Sequence, residues 1–270
     1  MIMTSRERIK RTLDFKIPDR VGIYDNIAGE FPEFDLKLFD LDKFDPQVYK
    51  AAKEKGLYLV ASFSCPFQKL TFDLGLQEAL LLIAKEPFQA KSIFAENAQQ
   101  LINASEKIRQ DGFIFDGAWM WSDLAYKKNT YFSAETYKKL LHEFHFDICG
   151  YFKGLGLPVI LHSDGNCASY IPLFLEAGVR ALNPLEIDCG FADAQFLKKE
   201  YGKDLVLFGN MPALVLEKSE KEIEEVFKKR LEILKSGGGF IYHSDKPIPE
   251  TVSRKNYEFA LGIIKKYGGY

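Results

Sequence analysis

The sequence predicts an α/β protein: a closed or nearly closed (β/α)8 barrel of the TIM type, formed as one domain over residues 1–270. Three observations carry this. Short apolar runs alternate with helix-like stretches, the order that builds a parallel sheet. The runs end in polar or titratable residues, as barrel strands do at their carboxyl mouth. No linker or low-complexity tract divides the chain, and its length suits one barrel.

The first element is a short helix capped by Thr4 or Ser5, with Ile9 and Leu13 on one side. Pro18-Asp19 breaks it, and Arg20–Asn26 reads as a strand. Residues 28–57 are weakly periodic, with a short helix after Asp45-Pro46. No strand is visible there, so an eighth strand, if the barrel closes, belongs in residues 30–57. Leu57–Ser62 is the second strand and runs into Phe63-Ser64-Cys65-Pro66-Phe67. Helices over about Leu74–Ala84 and Phe88–Arg109 follow, then a third strand at Gly112–Gly117, apolar until Asp116. A loop with Trp119, Trp121, Asp123 and Tyr126 leads to a long helix capped by Ser133, with Tyr137, Leu140, Leu141, Phe144 and Ile148 on its apolar face. Val159, Ile160 and Leu161 suit a strand buried on both faces, which ends abruptly in His162-Ser163-Asp164-Gly165-Asn166. A helix over about Tyr170–Ala177 stops at Gly178. Ala181–Glu186, a helix over 192–201 and Leu205–Asn210 come next. Ser219 and Glu222 then form a capping box. Phe240–Asp245 is the last strand, and Ser253 opens the final helix.

Composition narrows the class. There are 36 basic and 38 acidic residues, net charge −2, which argues against a nucleic-acid footprint, since that needs a basic face to neutralise phosphates. The 4 cysteines (Cys65, Cys149, Cys167 and Cys189) are widely spaced, which signals neither a disulfide framework nor a zinc ribbon. The charged N-terminus lacks an apolar leader, and the longest apolar run, Ala79 to Ala84, falls far short of a membrane span. A soluble, cytoplasmic protein acting on a small molecule is expected, with no nucleic-acid or membrane partner.

The strand ends read Asp25-Asn26, Ser62 to Cys65, Asp116, His162-Ser163-Asp164, Asn183 with Glu186, Asn210, and Tyr242-His243-Ser244-Asp245. His162 and Asp164 lie two apart, so both point to one face of a strand end. His243 and Asp245 repeat the spacing. Two such pairs in one pocket supply nitrogen and oxygen ligands to zinc, or a carboxylate-oriented acid and base. His162, Asp164 and His243 are therefore the candidate metal ligands. Asp116, Asp164, Glu186, His243 and Asp245 are the candidate catalytic groups. Asn26, Trp119, Trp121, Asn210 and Tyr242 are the candidate substrate contacts, the indoles as walls for a flat ligand. His145 with Cys149 has metal-pair spacing on a helix but reads as packing, as do Cys167 and Cys189. The glycines at 237–239 precede a strand, the wrong order for a phosphate cradle.

Several of these motifs, taken together, resemble the uroporphyrinogen decarboxylase superfamily. They are Thr4-Ser5-Arg6-Glu7-Arg8 followed by Pro18-Asp19-Arg20-Val21, the stretch from Gly156 to Asn166, Glu176-Ala177-Gly178-Val179, and Leu182-Asn183-Pro184-Leu185-Glu186. Tyr201-Gly202, Gly209-Asn210, Gly238 to Asp245 and Asn256-Tyr257 continue the pattern. The resemblance implies a distorted (β/α)8 barrel with its site at the carboxyl mouth, and superfamily members often form homodimers.

The superfamily holds two chemistries. Its true decarboxylases carry an arginine-rich N-terminal signature for substrate carboxylates, whereas this chain reads Tyr24-Asp25-Asn26-Ile27-Ala28-Gly29-Glu30. The corrinoid-linked methyltransferases hold zinc with a His-x-Cys pair and a later Cys. His162 matches the first ligand, Asp164 stands in place of the first Cys, and the second Cys falls near His243 or Ser244. The segment between the first strand and Pro66-Phe67 is also shorter than the resemblance implies, so either the barrel is abbreviated there or a substrate-covering element is missing. The expectation is a methyltransferase moving a methyl group from a small methoxylated or methylated substrate to a corrinoid protein, with zinc as Lewis acid. The alternatives are a uroporphyrinogen-decarboxylase-like lyase using His/Asp acid–base chemistry, and a non-catalytic barrel that binds a corrinoid or small ligand.

Overall fold

The computed structural model describes residues 3–27 and 31–270. In chain order its elements are α1 (Ser5–Leu13), β1 (Gly22–Ile23), β2 (Leu36–Asp40), α2 (Pro46–Glu54), β3 (Tyr58–Ser64), α3 (Pro66–Leu74), α4 (Leu76–Lys85), α5 (Pro87–Gln110) and β4 (Gly117–Trp121). There follow α6 (Ala134–Leu140), α7 (His142–Gly154), β5 (Val159–His162), α8 (Ile171–Ala177), β6 (Ala181–Asn183), α9 (Ala194–Glu200), β7 (Val206–Phe208), α10 (Glu220–Leu234), β8 (Phe240–Tyr242) and α11 (Arg254–Tyr267). The strands form one sheet in the order β1-β8-β7-β6-β5-β4-β3-β2, an α/β fold of the (β/α)8 TIM type. The strand missing from the sequence reading is β2, inside residues 30–57; its exposed Lys37 and Asp40 hide the apolar signal.

Helix starts follow the expected chemistry. Thr4, Ser133 and Ser253 each accept the backbone N–H three residues on, and Ser219 with Glu222 forms the full capping box. The single long helix expected after Ser133 is two, because Leu141 leaves helical geometry between α6 and α7. The third strand is also displaced: it runs over Gly117–Trp121, not Gly112–Gly117. Tyr49 explains the shift. Its hydroxyl donates to Ile114 O at 2.6 Å and accepts from Ile114 N at 3.1 Å, taking the backbone groups a strand would use. Phe113 and Phe115 pack edge-on against Tyr49. Asp116 therefore stands at the amino end of β4, where its Oδ2 accepts Leu59 N at 3.0 Å, and not at a carboxyl tip.

Packing divides the chain into two compact units, Met1–Lys37 with Ala51–Tyr58 and Ala181–Tyr270, and Leu38–Lys50 with Leu59–Arg180. In the first unit, fully buried Asp35 accepts from Arg8 Nη1 at 2.6 Å, Arg20 Nη1 at 2.8 Å, Ser5 Oγ at 2.7 Å and Ile23 N at 2.9 Å. Arg8 also grips Asp19, through Nε at 2.7 Å and Nη2 at 2.9 Å. Burial opposes ionisation of Asp19, but Arg8 and the Met3 N–H overcome it and hold the carboxyl at about 2.

The loop after β7 in the same unit is built on close backbone approach. A Cβ on Gly209 would lie 1.9 Å from Pro184 O. Next to it, Asn210 adopts φ 63° and donates through Nδ2 to Leu185 O at 2.9 Å and Ala192 O at 2.7 Å. Arg230 donates to both Asn210 oxygens, with Nε 2.7 Å from the backbone O and Nη2 on Oδ1.

In the second unit, His145 on α7 is fully buried, with Nδ1 2.8 Å from Tyr137 Oη. Burial, with a smaller contribution from the charge of His142, pushes its imidazole down to about 3. Between 6.5 and about 3 the unfolded chain binds a proton at this residue that the native chain does not. Asp19 acts the same way between 3.8 and about 2. Stability is thus complete near neutral pH and falls with acidification, by an amount for His145 on the order of a few kcal/mol. Urea midpoints measured from pH 7 downward are expected to decline from about pH 6, and His145→Gln, which cannot protonate, is expected to lose that part of the slope. Asn210→Ala removes an amide whose donors and acceptor are all used, and is expected to cost about 2–4 kcal/mol in urea unfolding. An Asn210→Ala protein as stable as the parent would show that the amide does not hold this loop.

Candidate metal centre

β4 and β5 pair in parallel with Trp121 opposite His162. Ser122 N donates to His162 O at 2.8 Å, extending the ladder past the last paired residue. The next residue, Asp123, is thereby level with Asp164, whose N–H donates to Asp123 Oδ1 at 3.3 Å. His162 Nε2 lies 3.7 Å from Asp123 Oδ1 and 3.5 Å from Asp164 Oδ1. One imidazole nitrogen and two carboxylate oxygens thus lie within 4.8 Å of one another.

The loops that carry these groups are tied together. Asn166 N donates to Tyr126 O at 2.9 Å, and Leu124 N donates to Ser163 Oγ at 3.3 Å. Gly165, at φ +82°, lets the two backbones meet: a Cβ there would lie 2.7 Å from Ala125 C and from Tyr126 N. Asp123 N donates to Gln68 Oε1 at 2.9 Å. Trp119 and Trp121 share one face of β4 and clasp the imidazole. The Trp121 ring meets His162 edge-on at 4.4 Å, the Trp119 ring stacks at 5.8 Å, and Trp121 Nε1 donates to Ser62 Oγ at 2.7 Å. The two indoles, expected as walls for a ligand, here fix the orientation of His162.

The donor set suits a divalent cation bound through nitrogen and oxygen. Thiolates play no part in it. Cys65 caps α3, accepting Gln68 N at 3.3 Å, and Ser122 Oγ donates to its sulfur at 3.1 Å. Burial pushes the Cys65 thiol up to about 11 and that of Cys149 up to about 12.

Apart from Asp116, which lies at the amino end of β4, the remaining expected residues fall in the first unit. Asp25, buried after β1, accepts at Oδ2 from Ser244 Oγ at 2.6 Å, Tyr257 Oη at 3.2 Å and Tyr242 Oη at 3.4 Å. His243 Nε2 lies 3.6 Å from Asp25 Oδ1, while Nδ1 sits 2.6 Å from Ser244 O. Burial raises the Tyr242 and Tyr257 phenols, followed by the Asp25 charge for Tyr242 and by Tyr242 and then Asp25 for Tyr257, so both remain protonated donors. Asp245 accepts Ala213 N at 2.9 Å and Ile187 N at 3.4 Å, and burial raises its pKa. Glu186 accepts from Cys189 Sγ at 3.1 Å, and Asn26 is exposed beside Asp25. Residues 28–30 of the stretch that replaces the arginine-rich signature lie outside the described residues. Asn210 has its whole amide engaged by Leu185, Ala192 and Arg230, which leaves no donor for a ligand.

Sequence reasoning passed over Asp123 and Asp25 as site groups. Asp123 was masked by the displaced third strand: with β4 ending at Trp121, the run Trp121-Ser122-Asp123 places a carboxylate just past its carboxyl end. Asp25 stood at a recognised strand end, but its partners come from residues 242–257, a separation no local pattern reveals.

Comparison with known proteins sets this geometry in a family. A search of curated protein sequences returns no match. Among solved structures, a methyltransferase from Methanosarcina mazei superposes with a TM-score of 0.72 at 13% identity, covering 98% of this chain and 99% of that one. The glycoside hydrolase domain of a PelA variant from Pseudomonas aeruginosa gives a TM-score of 0.46 at 14% identity, covering 87% of this chain and 96% of that one. The uroporphyrinogen decarboxylase (URO-D) family profile matches residues 47–267, so the chain belongs to that family of enzymes.

Proposed function

We propose that the protein is a methyltransferase that moves a methyl group from a small methoxylated or methylated substrate to a corrinoid carried by a partner protein, with zinc held by Asp123, His162 and Asp164. The observation that carries this is the imidazole and carboxylate trio at the ends of β4 and β5. Support also comes from the family assignment and from the fold shared with the Methanosarcina mazei methyltransferase.

Asp123, His162 and Asp164 would hold the cation, which when bound would supply Lewis acidity toward a substrate ether or alkoxide oxygen and make the methyl group easier to displace. The protein's own residues prepare that chemistry. Trp119 and Trp121 hold the His162 ring against rotation. The Asp164 N–H on Asp123 Oδ1 fixes the spacing of the carboxylates. Oxygen donors leave a bound cation harder than thiolates would, which suits an oxygen-bound methyl donor better than a thiol. A second reading, acid–base lyase chemistry, is favoured by one observation: His243 Nε2 faces Asp25, whose carboxylate is fixed by three hydroxyl donors.

Elemental analysis of the purified protein is expected to find about one zinc per chain, with losses in Asp123→Asn, His162→Ala and Asp164→Asn. Loss in His243→Ala as well would add His243 to the shell. Anaerobic incubation with a Co(I) corrinoid protein and a panel of methoxyarenes is expected to give methyl-Co(III) absorption. A protein that takes up no zinc when zinc is supplied, and forms no methyl-Co(III), would sink methyl transfer and leave the acid–base reading.

A further inference from the structure

The chain leaves β4 through Trp121, Ser122 and Asp123, and each of these residues is held by the corner between β3 and α3. Trp121 O accepts Cys65 N at 2.7 Å, and the Trp121 indole donates to Ser62 Oγ at 2.7 Å. Ser122 Oγ donates to Cys65 Sγ at 3.1 Å. Asp123 N donates to Gln68 Oε1 at 2.9 Å. One short stretch, Ser62 to Gln68, therefore grips the whole exit toward the metal trio. All of these residues lie in the second unit.

The two side chains at the ends of that stretch have no other evident duty. Ser62 pairs with Trp119 across the ladder, so its hydroxyl lies on the face of β4 that carries both indoles. It is only 5% exposed, and an indole N–H can do nothing but donate, so Ser62 Oγ supplies the acceptor that Trp121 needs there. Trp121 in turn meets the His162 ring edge-on at 4.4 Å. Gln68 is the third residue of α3, after the cap residue Cys65 and Pro66. A glutamine at that position ordinarily turns back to the N–H of the cap residue. Here that N–H is already given to Trp121 O, and the Gln68 N–H goes to Cys65 Sγ at 3.3 Å. The buried Gln68 side chain is left to serve the backbone of Asp123, and its oxygen must face that N–H.

We infer that Ser62 and Gln68 are positioning residues of the trio: Ser62 acts through Trp121 on the His162 ring, and Gln68 acts through the Asp123 backbone on its carboxylate. A zinc ion needs nitrogen and oxygen donors at about 2.0–2.2 Å. A turning imidazole or a loose Asp123 backbone therefore loses affinity even with all three ligand side chains present. The use of the trio as a zinc seat rests on the methyl-transfer reading above, whereas the hold on His162 and Asp123 does not.

The test is a titration of the full chain with zinc alone, in competition with a chromophoric chelator. Ser62→Ala and Gln68→Met are each expected to raise the zinc Kd by about tenfold or more, with circular dichroism and melting temperature near parental values. Gln68→Glu keeps an oxygen for the Asp123 N–H and is expected to bind zinc at least as well as the parent. Trp121→Phe keeps a ring and removes the indole N–H. Adding Ser62→Ala to it is expected to bring no further loss, because the two act through one hydrogen bond. Amide-exchange NMR on the metal-free protein gives a second readout. Asp123 N–H should exchange faster in Gln68→Met and recover in Gln68→Glu, and the Trp121 indole N–H should exchange faster in Ser62→Ala.

Parental zinc affinity in both Ser62→Ala and Gln68→Met would overturn the proposal and leave the metal reading intact. Gln68→Glu as weak as Gln68→Met, or additive losses from Ser62→Ala and Trp121→Phe, would overturn it too. If Gln68→Met does not fold, the Ser62 and Trp121 cycle decides. A parent that takes up no zinc refutes the metal reading, and exchange then decides the positioning roles: faster exchange in the variants supports them, and unchanged exchange overturns them.

Discussion

The candidate centre depends on the register of β4 against β5. Side chains alternate across a strand, so a slip of one residue would turn His162 from the face shared by Trp119 and Trp121 to the opposite one. Four constraints outside the strands prevent this. Ser122 N continues the ladder onto His162 O, Asp164 N reaches Asp123 Oδ1, Asn166 N reaches Tyr126 O, and Gly165 admits a backbone approach that any side chain would block. The two strands overlap by only four paired residues, so the loops beyond them add to the register that the ladder sets.

The parts of the architecture that were legible in the sequence are those set by local chemistry. Helix starts at Thr4, Ser133, Ser219 and Ser253 follow from one hydroxyl meeting one backbone N–H, which needs no tertiary information. The strand ending at His162 was equally readable, because an apolar run and a polar tip lie side by side in the chain. What failed was a choice between two adjacent apolar runs. Residues 112–115 and 117–121 both look like strands, and Tyr49, more than sixty residues away, decides by occupying the backbone of Ile114. That one distant hydroxyl moves Asp116 to the amino end of β4 and brings Asp123 beside His162. β2 was missed for a related reason: its alternating exposure is weak, and the ladder rather than the side chains defines it.

The buried ionic network around Asp35 shows a different use of charge from the metal trio. Asp35 is shut away from water with two arginines and satisfied at both oxygens, an arrangement in which removing either partner strands a buried charge. Arg8 and Asp19 extend it to the backbone of Met3. These groups hold α1 and β1 in the first unit, and they do so by being dry.

Asp123 and Asp164 are held the other way. Their side chains remain 38% and 46% exposed, so water solvates both negative charges with or without a cation between them. His162 is anchored by aromatic contact and needs no ion to keep its place. A structural metal site has its ligands buried, so that losing the ion leaves like charges facing one another in a low dielectric and the fold pays for it. Here that penalty is absent, while the imidazole is fixed and the oxygens are open to solvent. A cation held here as proposed would exchange a water or a substrate oxygen without disturbing the sheet, the property that separates a catalytic metal site from a structural one.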